Sequence, residues 1–227
     1  MAGINYQREL DRKLADLMTK NEAPTLFLHA CCAPCSSYVL EYLASYFHIT
    51  VFFYNPNISL RKEYEKRIAE LRRLAETLPV KYPVSVVEGV YEPERFFAMA
   101  RGMEKLPEGG ERCFACYRLR LEETARLAAA GEYDYFTTTL SISPLKNAVK
   151  LNEIGGEMEE FYGIPYLYSD FKKRNGYKRS IELSREYDLY RQDYCGCVFS
   201  RTEREEKKGC ANGVSPNQGS VPHFITK

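Results

Sequence analysis

Residues 25–56 read TLFLHACCAPCSSYVLEYLASYFHITVFFYNP. The apolar run TLFLHA, from Thr25 to Ala30, follows Pro24 and has the length and composition of a strand. A helix is expected from about Pro34 to Phe47, since proline suits a first helical turn, and ITVFFYNP after it reads as a second strand. The same alternation continues outward. PVSVVEG (83–89), YDYFTTTL (133–140) and IPYLYSDF (164–171) read as further strands. In SLRKEYEKRIAELRRLAETLP (59–79), Leu60, Tyr64, Ile68, Leu71, Ala75 and Leu78 recur at spacings of three and four, a single apolar stripe. Other helical stretches are expected near residues 93–101, 116–130, 146–162 and 179–190. Alternating strand and helix predicts an α/β fold, a doubly wound parallel sheet of about five strands.

A chain of 227 residues, 44% hydrophobic, fits one domain with a real core. The reading is a single α/β domain over residues 1–208, followed by a flexible tail, 209–227, rich in Gly, Ser, Asn and Pro. The first residues are polar and charged where a signal peptide needs an apolar run, and no window holds 18 uninterrupted apolar residues. A soluble, cytoplasmic protein without a membrane partner is the expectation. The formal charge of +1 does not by itself announce a nucleic acid, so any such surface must be local.

A reducing cytosol disfavours structural disulfides, which leaves metal binding, redox chemistry or nucleophilic catalysis for the eight cysteines. Cys31, Cys32 and Cys35 lie in HACCAPCS, Cys113 and Cys116 in RCFACYRLR, and Cys195 and Cys197 in DYCGCVFS, with Cys210 alone. Ligands of parallel α/β sheets bind beyond the carboxyl ends of the strands. Strand exits would there gather Cys31 and Cys32, Asn55 and Asn57, Glu88, then Thr139, Ser141 and Ser143, and finally Asp170. A helix beginning near Pro34 turns free N–H groups and a positive dipole end toward the first cysteines, which favours thiolates. Cys113 and Cys116, three apart, present two more sulfurs on one helical face, with Arg112 and Arg118 adding positive charge.

Four thiolates from two turns can hold a [4Fe–4S] cluster. Zinc held by Cys32, Cys35, Cys113 and Cys116 is the alternative, weakened by a gap far longer than the roughly 15–20 residues of a compact zinc ribbon and by leaving Cys31 unexplained. Cys195–Gly196–Cys197 closes into a disulfide only through a small strained ring, which suits electron exchange better than bracing; two further ligands or spare thiols are the competing reading. His29 is read as a buried histidine bonded to backbone.

The run KKRNGYKR holds five cations, Lys172, Lys173, Arg174, Lys178 and Arg179, with no acid, and is followed by Arg185, Arg191 and several tyrosines. Phosphates pair with Lys and Arg while bases stack on Tyr, so this run is the candidate RNA surface, although many charge runs are only solvated faces.

HACCAPCS, CFACY, TTTLSISPLKN (137–147) and YCGCVFS, in this order, closely resemble the QueH family of epoxyqueuosine reductases over about residues 21–200. The resemblance implies reduction of epoxyqueuosine to queuosine at the tRNA anticodon wobble position, the last step of queuosine biosynthesis. It also implies that Cys31, Cys32, Cys113 and Cys116 hold a [4Fe–4S] cluster and that Cys195 and Cys197 are a redox-active pair. A second metal ion beside the cluster, held by Cys35 with Asp170, is a further expectation, as is proton delivery from Asp170 or a tyrosine. The partner is then tRNA rather than DNA, together with an unidentified electron donor. The fold is similar to that of the PP-loop ATPases, but HACCAPCS lacks the glycines of a phosphate loop, which argues against ATP use. Rival readings are a cluster-dependent tRNA sulfurtransferase and a zinc-braced RNA-binding module.

Overall fold

The computed structural model describes residues 4–211. Its sheet has four strands, β1 (Thr25–His29), β2 (His48–Phe53), β3 (Ser85–Glu88) and β4 (Tyr135–Thr138), all parallel, in the order β3-β2-β1-β4. Alternate residues of each strand face opposite sides of the sheet. Leu26 and Leu28 of β1 with Ile49, Val51 and Phe53 of β2 join one core cluster; Phe27 and Phe52 join the other.

On the first face lie α1 (Tyr6–Lys20), α2 (Ala33–Leu43) and α3 (Arg61–Thr77), contributing Leu10, Leu14, Leu17, Val39, Leu40, Ile68, Leu71 and Leu74. On the second lie α5 (Glu111–Ala130) and α6 (Ala148–Tyr162), through Tyr117, Leu121, Ala125, Leu151 and Ile154. The sheet is therefore doubly wound. The short helix α4 (Pro93–Ala100) closes a smaller cluster in which Phe96 and Ala100 meet Cys116 and Cys197.

The expected fifth strand, IPYLYSDF, is reduced to one bridge between Phe136 and Tyr166. Side chains replace the ladder there. Thr137 Oγ1 donates to the Leu167 carbonyl at 2.8 Å, and the amide of Asn152 takes both backbone groups of Ser169, at 2.9 and 2.8 Å. Pro165 offers no N–H of its own.

Two helices were not expected from the sequence, α1 and α8 (Val198–Ala211). Asn5 caps α1, its side chain accepting from Arg8 N at 3.2 Å. α7 (Gly176–Glu186) begins earlier than periodicity indicates, after Asn175 in the left-handed region at φ 61°. Gly176 is required there, since a Cβ would stand 2.0 Å from the Phe171 carbonyl oxygen and 2.5 Å from the Tyr38 ring. No helix among the described residues is long and apolar enough to cross a membrane. Most of the expected tail, residues 212–227, lies outside the described residues.

Candidate functional site

Because β1 stands between β2 and β4, the chain leaves its carboxyl end in one direction and returns on the other side, which makes a switch point. Asn55, after β2, ties the exits together: its amide donates to the Ala30 carbonyl at 2.8 Å and its oxygen accepts from Arg120 at 3.4 Å. Beyond β4 a 3-10 turn, Thr139–Ile142, brings Thr139 Oγ1 to 4.0 Å from Cys31 Sγ.

Cys32 is the N-cap of α2, in extended geometry, with Pro34 in the first turn. The chain thus leaves the strand at the cysteines, and Cys31, Cys32 and Cys35 bring their sulfurs within 4.8 Å of one another. Sulfurs about 2.3 Å from one tetrahedral metal stand about 3.8 Å apart; Cys31 and Cys32 are 3.7 Å apart. Hydrogen bonds from Cys31 and then Cys35 hold the Cys32 thiol well below its ordinary range, with Arg67 adding positive charge, and the same contacts push Cys35 up. The three sulfurs therefore share protons unequally and can bind a metal ion.

A cavity of about 430 Å³ opens beside them, its walls including Cys31, Cys35, Arg67, Lys146, Tyr177 and Cys195. A narrow cleft of about 10 Å³ adjoins it and carries Cys113, Cys116, Cys195 and Cys197. Glu108, Lys146 and Cys195 belong to both. The described residues thus place Cys35 in the close trio with Cys31 and Cys32, while Cys113 and Cys116 share the cleft with the CGC pair. In that cleft Asn57 Oδ1, Tyr117 Oη and Arg120 Nη2 are buried without partners. Buried polar groups are normally satisfied, so orphaned atoms among thiols fit a site that takes up a further, charged group.

Three buried arginines supply structure and charge that were not anticipated. Arg120 donates to the Cys116 carbonyl at 3.2 Å; burial opposes its charge, but Cys116, Cys195 and Cys31 outweigh that and hold it firmly protonated. Arg67 pairs with Glu63 at 2.7 Å and clasps the Cys195 carbonyl at 3.0 Å. Arg112 is enclosed by the carbonyls of Met103, Glu104 and Leu106 and ties down the loop before α5. Arg118, expected to help the thiols, instead pairs with Glu157 on the surface. The signal for Arg120 was present: Cys113, Cys116 and Arg120 fall at i, i+3 and i+7 on one helical face.

The CGC loop is clamped from several sides. Gly196 has φ 118°, and a Cβ there would meet Ile58 at 2.9 Å and Arg67 Nη1 at 3.1 Å. Its carbonyl accepts from Ser59 N at 3.2 Å. Cys31, Cys32, Cys35, Cys113, Cys116, Cys195 and Cys197 are free thiols. Burial, then Cys195, pushes the Cys197 thiol up to about 12.

Other expectations fall as follows. His29 is buried, bonded to Thr138 at 2.8 Å and to the Tyr54 carbonyl at 3.0 Å, and burial pushes it down to about 3. It is a neutral structural histidine. Glu88 lines neither cavity and pairs with Arg72 at 2.6 Å at the sheet edge. Asp170 pairs with Lys172 at 3.2 Å. In the basic run, Arg174 is held by Asp11 and Arg179 by Glu41, both at 2.6 Å, and Lys178 lies 4.0 Å from Glu182, while Lys173 is exposed. The run does border the cavity, through Tyr177 and Ser180.

Fold and site define an α/β protein with free thiols on adjoining walls at the carboxyl edge of a parallel sheet. Residues 26–203 match the family described as Epoxyqueuosine reductase QueH. Proteins of that name from Staphylococcus epidermidis and Streptococcus pyogenes serotype M1 are 43% and 42% identical, covering 87% of this chain in each case and 84% and 78% of theirs. The Thermotoga maritima protein of that name is 38% identical over 81% of this chain and 93% of its own. The chain belongs to the epoxyqueuosine reductase QueH family.

Proposed function

We propose that this chain reduces the epoxide of epoxyqueuosine in tRNA to the alkene of queuosine, in the reducing cytoplasm where its thiols stay free. Cys195, common to both cavities, carries this reading, because it puts a redox-capable sulfur on the wall of a cavity of about 430 Å³, roomy enough for a base. Removing the epoxide oxygen as water takes two electrons and two protons, the amount that a Cys195–Cys197 dithiol yields on becoming a disulfide. An external reductant restores the dithiol.

The residues that would hold a [4Fe–4S] cluster are Cys31 and Cys32 from the β1–α2 turn and Cys113 and Cys116 from α5, with Cys35 available to a second metal ion. Bound there, a cluster supplies one-electron storage and relay. The chain's own part is to surround the thiols with Arg67, Arg120 and Lys146, to keep the cleft narrow, and to present Glu108 to both cavities. Glu108, on both cavities, is a candidate proton donor beside Asp170. Lys172, Lys173, Arg174, Lys178 and Arg179 meet the tRNA backbone, since exposed ion pairs are worth only about 0–1 kcal/mol and exchange readily for phosphate.

The test is protein purified without oxygen, supplied with epoxyqueuosine-containing tRNA and a chemical reductant but no ATP. Queuosine in the digested product is the expected result. No conversion until ATP and a sulfur donor are added, or a colourless zinc-loaded protein, overturns the reading.

A further inference from the structure

The loop Ser143–Asn147, between the 3-10 turn and α6, belongs to the motif TTTLSISPLKN, in which Lys146 is the one charged residue. Its backbone is fixed: Lys146 N donates to the Ser143 carbonyl at 3.1 Å, and Asn147 caps α6 by accepting from Lys150 N at 3.0 Å. The Lys146 side chain is only 8% exposed. Its Nζ lies 3.1 Å from Cys195 Sγ, 4.0 Å from the Glu108 carboxylate and 6.0 Å from the centre of the Tyr117 ring.

A buried ammonium is costly unless it is paired at close range. The Glu108 carboxylate, at 4.0 Å, carries the compensating charge and also accepts from Ser200 Oγ at 3.1 Å, while the closest contact of the ammonium is the Cys195 sulfur. Asn57 Nδ2, at 3.9 Å, is a second donor toward the same sulfur. Cys197 is placed otherwise, buried among Phe96, Ala100 and Cys116 with one backbone N–H, that of Ser200, at 3.3 Å. Arg67 lies on the Cys195 carbonyl, Arg120 and Arg112 line the cleft, and Arg191, Asp193 and Arg204 line the large cavity with Cys195. Burial opposes the Lys146 charge, but Cys195 and Tyr117 outweigh it, so the lysine stays protonated.

We infer that Lys146 is a positioning residue that fixes the polarity of the CGC pair, holding the Cys195 sulfur on the wall of the large cavity as the one that reacts first and leaving Cys197 to close onto it. This rests on the reading of the pair as the two-electron donor. In one turnover Cys195 and Cys197 form an S–S bond, and the two electrons and two protons that the dithiol releases pass to the substrate. Both C–O bonds of the epoxide break, the C=C bond forms, and the oxygen leaves as water. An external dithiol then reduces the S–S bond and becomes a disulfide. Because the ammonium pairs only with the reduced state, it also favours dithiol over disulfide.

The experiment is timed alkylation with iodoacetamide at neutral pH, on protein purified without oxygen and with the metal it carries, followed by peptide mapping. Cys195 is expected to be modified before Cys197. Lys146→Met should slow Cys195 by about tenfold or more at unchanged iron content, and Lys146→Arg should restore the rate. In glutathione buffers Lys146→Met should also shift the pair toward disulfide by a similar factor. Cys197 reacting first in the unaltered protein overturns the inference without any variant, as does a native Cys195 rate in folded Lys146→Met. Turnover by Cys195→Ser separates the two readings: if it is lost while Lys146→Met alkylates normally, the assignment to Lys146 falls and the reductase reading stands.

Discussion

The Cys31–Cys32–Cys35 trio and the Cys195–Gly196–Cys197 pair are both made of free thiols, yet the chain builds them in opposite ways. The trio sits where a strand becomes a helix, its sulfurs are one another's nearest partners, and a helix N-terminus with Arg67 favours negative charge on Cys32. The pair sits on a loop, where each sulfur has its own surroundings: an ammonium for Cys195, an apolar pocket and one N–H for Cys197. Sulfurs that share one environment suit a common ligand. Sulfurs held in unlike environments suit exchange, because one is ready to react and the other to resolve.

Four variants test this contrast. The largest effect is expected from Cys32→Ser, which removes the sulfur that both neighbours bond. Iron and sulfide analysis should show the metal lost and turnover abolished, while Cys195 still alkylates ahead of Cys197; retained metal would place the ligands elsewhere. Next is Cys195→Ser, expected to cut turnover by about 10³-fold or more with metal content intact. Loss of metal in that variant would erase the distinction between the groups. Smaller is Gly196→Ala, which sets a Cβ against Ile58 and Arg67 at positive φ. It should lower stability by about 1–3 kcal/mol in denaturant titrations and leave metal binding unaltered. The smallest change in stability, within about 1 kcal/mol, is expected for Lys173→Ala with Arg174→Ala. There the effect should appear in tRNA binding, with a salt dependence flatter by about one for each phosphate that is no longer neutralised. Equal affinity and slope would remove this run from the RNA surface.

Much of this was legible locally. The strand, turn and helix of residues 25–43 follow from an apolar run, a proline and a change of hydrophobic period, and each of those signals spans only a few residues. The stripe Leu10, Leu14, Leu17 was equally readable, but the charged residues around it in the first 20 positions concealed α1. Arg67 also carried a signal, since it lies three residues after Tyr64 and four before Leu71, on the apolar face of α3. IPYLYSDF misled because strand composition cannot reveal that Thr137 and Asn152 occupy its backbone groups from other elements.

The sequence by itself determined the winding of the sheet and which segments carry thiols, since hydrophobic period and residue type are local properties. Only the tertiary structure decided which sulfurs face one another and that Arg67, Arg120 and Lys146 are the cations that surround them. Those facts depend on contacts between segments as far apart as Lys146 and Cys195 or Arg67 and Cys195, and burial turns such contacts from weak surface attractions into the terms that set charge.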